Sequence, residues 1–133
     1  MKKVVCWGTF DLLHEGHLEF FKDAKRKGEF LYVLVIPDKA ILENKGRTPV
    51  KAHRERIEDI LKTGLADEVF PTPVNNQFEF IASLEPDVFV FGYDQQTPWE
   101  EELKKYLAEK GITPEYYVSK EFAGGIHTKH LRP

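Results

Sequence analysis

The sequence has 133 residues, 41% of them apolar and 31% charged, a composition that suits one packed domain and excludes a disordered chain. The 19 Lys and Arg residues stand against 22 Asp and Glu, so the net charge of −3 excludes binding to nucleic acid or anionic membranes through overall charge. A single cysteine, Cys6, excludes an internal disulfide, and neither a signal-peptide core nor an apolar run of the ~20 residues that a membrane helix needs is present. The sequence predicts one cytoplasmic domain over residues 1–133.

Short β-rich apolar runs alternate along the chain with segments of helical periodicity, which is typical of a parallel sheet covered by helices. The second and fourth runs are almost continuously apolar, as expected for strands that are buried on both faces. The predicted strands are Lys3–Trp7, Phe30–Ile36, Glu68–Phe70, Asp87–Phe91 and Glu115–Val118.

Four helices are predicted between and after these strands from apolar spacing and end signals. The first ends at Gly28, the second near Gly64, the third begins after Asn75 or Asn76, and the fourth spans about Trp99 to Lys110. The predicted fold class is therefore α/β, a single Rossmann-like domain with a doubly wound five-stranded parallel sheet. Ligands of such sheets bind beyond the carboxyl ends of the strands, near the point where the strand order reverses.

The segment Gly8–His17 lies between the first strand and the first helix and has the residue types of a phosphate site. A helix N-terminus presents unpaired N–H groups and a partial positive charge to an anion. His14 and His17 flank Gly16 at a spacing that lets both imidazoles reach one anion. The backbone of Thr9–Phe10 offers a second set of N–H donors in a tight turn.

Two other interpretations of these histidines are solvated surface residues and zinc ligands. Zinc requires four converging ligands, but Cys6 lies inside a strand, and His53, His127 and His130 have no coordinating spacing. The sequence therefore favours phosphate binding over metal binding, and it identifies no dedicated metal ligands.

The run G-T-F-D-L-L-H-E-G-H over Gly8–His17 resembles the G-x-F-D-x-x-H-x-G-H signature of the cytidylyltransferase-like nucleotidyltransferases. Most of the remaining chain is similar to the same family: Lys45–Arg47 resembles its lysine loop, Ala52–Arg56 its arginine helix, Asp67–Val69 its third strand and Gly92–Gln95 its loop after the fourth strand. Within the family, the resemblance is greatest to archaeal-type FAD synthases and extends to glycerol-3-phosphate cytidylyltransferases.

This resemblance implies an enzyme in which a phosphate oxygen of the acceptor attacks the α-phosphorus of a nucleoside triphosphate and pyrophosphate leaves. It implies catalytic roles for His14, His17 and Lys45, with Mg²⁺ or another divalent cation bound together with the nucleotide. Arg47 and Arg54 are weaker candidates for contact with the acceptor or a phosphate. The predicted nucleotide-binding residues are Gly8, Thr9, Phe10, Asp11, His14, Glu15, Gly16, His17, Gly92, Asp94, Phe122 and Thr128. Asp11 is additionally expected to orient His14 or approach the metal ion.

The leading hypothesis is an FMN adenylyltransferase that makes FAD from ATP and FMN. It follows from the resemblance, because archaeal-type FAD synthases carry a loop similar to Gly92–Gln95 followed by an acidic helix. A cytidylyltransferase acting on glycerol 3-phosphate or another small phosphorylated alcohol or sugar is the first alternative. A non-catalytic nucleotide-binding sensor is the second. The segment Gly124–Leu131 departs from the family, since only Thr128 keeps a hydroxyl where relatives have a Ser/Thr-rich run. A homodimer is a family-level expectation, and neither nucleic acid nor membrane is expected as a partner.

Overall fold

Five parallel strands form one sheet in the order β3-β2-β1-β4-β5. The structure, a computed structural model, describes residues 1–39, 42, 46, 48–73, 75–92 and 98–119. The strands are β1 (Lys3–Gly8), β2 (Phe30–Val35), β3 (Glu68–Pro71), β4 (Val88–Phe91) and β5 (Glu115–Val118). All five predicted strands are present, each bounded within one residue of the prediction, and the predicted fold class is confirmed.

The predicted helices are also present, with small shifts at their ends. They are α1 (Glu15–Arg26), α2 (His53–Thr63), α3 (Gln77–Ser83) and α4 (Pro98–Glu109). Gly64 and Gly111 adopt φ of 71° and 78°, the left-handed conformation that ends helices and that glycine enters without a Cβ clash. Asn76 is the N-cap of α3 as predicted, but it makes no side-chain capping hydrogen bond.

Two hydrophobic cores lie on opposite faces of the sheet. On one face, α1 and α2 pack through residues such as Phe21 and Ile60 against Val4, Cys6 and their neighbours. On the other face, α3 and α4 pack through residues such as Ile81 and Leu103. Strands β1, β2 and β4 are almost fully buried because helices cover both sides of the sheet.

The strand order reverses between β1 and β4, and this switch point is where the fold places a ligand site. From β1 the chain passes through α1 to β2 on one side, whereas β4 pairs with β1 on the other. Gly8 ends β1 opposite Val35 of β2, so the signature segment emerges at the carboxyl edge of the sheet. Among the described residues, no helix has the length and apolar character to cross a membrane.

Candidate active site

His14 and His17 lie together at the start of α1, with their rings stacked at a centroid distance of 4.0 Å. His14 is the N-cap, and its Nδ1 accepts a hydrogen bond of 3.0 Å from the Gly16 backbone N–H. The His14 N–H in turn donates to Nδ1 of His17 at 3.3 Å. The two imidazoles thus close a reciprocal capping box of the kind that Ser and Glu usually form. The helix begins at Glu15, one residue before the glycine between the histidines.

The capping bonds fix the tautomer of both rings. Each Nδ1 accepts a backbone N–H, so in a neutral imidazole the hydrogen must be on Nε2. The Nε2 of His14 is buried and makes no hydrogen bond within the described part of the chain. A buried donor of this kind requires an acceptor, and an anionic phosphate oxygen is a strong one. The geometry prepares His14 as a hydrogen-bond donor at a helix N-terminus.

Burial lowers the pKa of the His14 imidazole below its usual value, because desolvation disfavours the charged form. Protonation would also place a hydrogen on the Nδ1 that accepts from Gly16. The unfolded chain therefore takes up this proton at a higher pH than the folded protein does. Stability is unaffected by this group above the unfolded pKa of about 6.5, and it decreases as the pH falls below that value.

We expect the melting temperature of the unmodified protein to fall more steeply between about pH 7.5 and pH 5.5 than that of a His14→Asn variant. Asparagine keeps a side-chain oxygen for the N-cap and has no group that titrates in this range. Thermal unfolding by circular dichroism at half-unit pH intervals measures the difference between the two proteins. Parallel melting curves over this range would contradict the assignment of the titration to His14.

Gly8 and Phe10 set the position of His17 from the β1 side. A Cβ added at Gly8 would lie 2.9 Å from Cζ of Phe10, so only glycine lets the buried phenyl ring fold back over the end of β1. Phe10 adopts a positive φ of 52°, and its ring meets the His17 ring edge-on at 5.8 Å. The first positions of the signature therefore support the histidines through packing.

Asp11 anchors a neighbouring loop instead of a histidine. Its carboxylate accepts backbone N–H bonds from Val50 at 2.6 Å and Lys51 at 3.0 Å, and it does not hydrogen-bond His14. The prediction that Asp11 orients His14 is therefore wrong. The carboxylate accepts hydrogen bonds from two backbone N–H groups just before α2. These bonds hold that segment beside the turn at Thr9 and Phe10, which we call the signature turn.

Arg56 is the main structural residue that the sequence interpretation missed. Its side chain is fully buried, although arginine is almost never fully buried without partners. It donates to the Thr9 carbonyl at 2.7 Å, to the Lys51 carbonyl at 3.1 Å and to the Asp38 carboxylate at 2.5 Å. Arg56 thereby joins the signature turn, the segment after β2 and the start of α2.

Three further predicted site residues lie within the described part of the chain, and they occupy different places in the fold. Gly92 is half-buried directly after β4, at the switch-point edge, and Glu15 is exposed in the first turn of α1. Arg54 lies on the solvent face of α2, where it pairs with Glu58 at 3.2 Å. The predicted site residues that lie outside the described residues are Lys45, Arg47, Asp94, Phe122 and Thr128.

Within the described ranges, no group of three or more His, Cys, Asp or Glu side chains is arranged to hold a metal ion. The carboxylate of Asp11, which follows the signature turn, is already engaged by two backbone N–H groups. These residues therefore do not fit a metal held in a cage of protein ligands.

The sequence of this chain matches a known protein family. The family model described as cytidylyltransferase-like matches residues 5–132, which is nearly the whole chain. The chain belongs to the cytidylyltransferase-like family. Its signature segment, capped helix and switch point all lie within the matched range, and the predicted nucleotidyltransferase class is confirmed.

Two similar proteins share one name, and a solved structure shares the fold. A relative from Thermococcus sibiricus named FAD synthase is 41% identical over 107 residues, covering 77% of this chain and 72% of that protein. A second FAD synthase, from Ferroglobus placidus, is 36% identical over 115 residues, covering 86% and 74%. The crystal structure of a lipopolysaccharide core biosynthesis protein from Thermoplasma volcanium superimposes with a TM-score of 0.83 at 28% identity, covering 92% of this chain and 98% of the other.

Proposed function

We propose that this protein is an FMN adenylyltransferase, which makes FAD and pyrophosphate from ATP and FMN. The proposal rests on the pair of histidines that cap the N-terminus of α1, because the buried Nε2 of His14 has no hydrogen-bond partner among the described residues. The name of the similar proteins, FAD synthase, supports FMN and ATP as the substrates of the nucleotidyl transfer. It disfavours the alternative of a cytidylyltransferase acting on glycerol 3-phosphate.

In the proposed reaction, an oxygen of the FMN phosphate attacks the α-phosphorus of ATP and forms the new P–O–P linkage. The bond from the α-phosphorus to the bridging oxygen breaks, and its electron pair leaves with pyrophosphate. The nucleophile is already anionic at neutral pH, so the protein has to align the groups and neutralise the charge that develops on the phosphates. No side chain has to act as a general base.

The described residues are suited to these two tasks. The His14 Nε2–H and the positive end of α1 stabilise negative charge on the triphosphate, and the stacked His17 ring holds the His14 cap in place. Gly92 at the end of β4 is proposed to lie beside the nucleoside. We further propose that Lys45 clamps the phosphates, that Asp94 and Phe122 contact the nucleoside and that Thr128 contacts a phosphate.

A divalent cation is proposed to enter with the nucleotide and to be held by triphosphate oxygens and water, which matches the lack of a three-ligand cluster among the described residues. Bound in this way, Mg²⁺ supplies additional neutralisation of phosphate charge. The protein groups described above act on the phosphates in addition to the metal.

The test is to incubate purified protein and MgCl₂ with ATP or CTP, each against FMN, glycerol 3-phosphate and a set of sugar phosphates. Pyrophosphate release and product mass are followed in every combination. We expect a product, FAD, only in the combination of ATP with FMN. A CDP-linked product would move the protein to the cytidylyltransferase branch, and nucleotide binding with no product from any acceptor would support the sensor alternative.

A further inference from the structure

A cleft on the other face of the sheet, between α3 and α4, is not used by the groups assigned above. It is a groove that is open to solvent, and its volume of about 450 Å³ is within the ~300–1,000 Å³ typical of small-molecule sites. Both helices follow strands whose carboxyl ends lie at the ligand-binding edge, β3 for α3 and β4 for α4. The cleft therefore opens at the same end of the sheet as the signature segment.

A continuous row of aromatic rings connects this cleft to the end of β1. Trp7 directly precedes Gly8, and its ring stacks on Trp99 at a centroid distance of 4.0 Å. Trp99 contacts Phe78 at 5.1 Å, and Phe78 contacts Tyr106 at 5.6 Å. Phe78, Trp99 and Tyr106 line the cleft and are only half-buried, so part of each side chain remains exposed. These rings form a wall on which a planar aromatic ligand can stack.

The polar residues of the cleft indicate which kind of aromatic ring fits. Asn75, Asn76 and Gln77 belong to the lining at the start of α3, and the amide of each can both donate and accept hydrogen bonds. The Asn76 amide is not used to cap α3. A ring system that carries carbonyl oxygens beside an N–H group presents the complementary pattern.

The charged residues of the cleft disfavour binding of the phosphate end of the acceptor substrate. Glu79 and Glu102 are exposed carboxylates in the lining, and they disfavour an anionic phosphate there. The proposed phosphate site is at the N-terminus of α1, where His14 and His17 cap the helix. Helix α1 covers the opposite face of the sheet from α3 and α4. An acceptor with a neutral planar ring and a phosphate on a flexible chain satisfies both regions.

We infer that the cleft between α3 and α4 binds the isoalloxazine ring of FMN, with Tyr106 and Trp99 as stacking residues and Gln77 as a residue that recognises the carbonyl edge. This inference rests on the proposed function, because it assigns the ring of the proposed acceptor. It adds that ring recognition and phosphate recognition are separated across the sheet edge. Riboflavin, which has the ring and chain but no phosphate, should therefore bind to the cleft by itself.

The experiment measures riboflavin binding by equilibrium dialysis and FMN and ATP kinetics for Tyr106→Ala, Gln77→Ala and a matched control, Tyr117→Ala. Tyr117 is a partly exposed tyrosine of β5 outside the cleft. We expect Tyr106→Ala to raise the riboflavin Kd and the FMN KM by about tenfold or more, because one aromatic side chain stacked on a planar ring typically contributes that factor. Gln77→Ala should raise both by about threefold, with the ATP KM unchanged in each variant.

The outcomes separate this inference from the proposed function. If the unmodified protein makes FAD but both cleft variants bind riboflavin as tightly as Tyr117→Ala does, the ring does not bind in the cleft and the activity still stands. If the unmodified protein makes no FAD and binds no riboflavin, the proposed function fails and this inference fails with it. Gln77→Ala keeps the test valid if Tyr106→Ala does not fold, since Gln77 lies in the first turn of α3 and outside both buried cores.

Discussion

Replacing His14 with asparagine should lower turnover by about 10²–10³-fold, the usual cost of removing one preorganised donor from a site where negative charge develops. The Nε2–H of His14 is a buried donor that has no hydrogen-bond partner in the described part of the chain, and asparagine cannot place a donor at that position. The asparagine oxygen can still accept the Gly16 N–H, so the helix cap is preserved. The variant therefore separates the catalytic role of the ring from its structural role.

The measurement is steady-state pyrophosphate release from ATP and FMN, together with the melting temperature of each protein at neutral pH. His53→Asn is the matched control, because that histidine donates from Nε2 to the Val35 carbonyl and holds the start of α2. We expect His53→Asn to lower the melting temperature with a turnover change of only a few-fold. Equal turnover losses in the two variants would show that His14 acts through stability alone.

The strands and the site segment were predictable because their signals are local. Continuous apolar runs such as Phe30–Val35 can be buried on both faces only inside a covered parallel sheet. The His14 and His17 pair could likewise be placed, because three-residue spacing at a helix start brings two side chains together whatever the rest of the fold does. Sequence alone did not reveal that the two rings cap the helix themselves.

The residues that were missed depend on partners far away in the chain. Arg56 lies 47 positions from Thr9 and 18 from Asp38, so nothing in its local sequence shows that its side chain is fully buried. One signal was available: Arg56 stands four residues before the buried Ile60, on the apolar face of α2. The contact of Asp11 with Val50 and Lys51 was not predicted for the same reason, since the backbone that its carboxylate binds lies about 40 residues away.

Replacing Arg56 with alanine should lower the free energy of unfolding by about 3 kcal/mol, because a buried carbonyl loses its donor and a large side chain leaves a cavity. The Thr9 carbonyl accepts a hydrogen bond of 2.7 Å from the buried guanidinium and loses that donor in the variant. The Asp38 carboxylate is 44% exposed and can be hydrated, which limits the part of the loss due to the ion pair.

Arg54 on the same helix is the matched control for this prediction. Its side chain is 90% exposed and its pairing with Glu58 spans one turn of α2, so Arg54→Ala should change stability by less than about 0.5 kcal/mol. Arg56→Lys should lie between the two alanine variants, because lysine keeps the positive charge but lacks the planar fork that reaches three acceptors. Urea unfolding followed by circular dichroism ranks the three variants. A midpoint for Arg56→Ala equal to that of Arg54→Ala would show that the signature turn is held without the buried arginine.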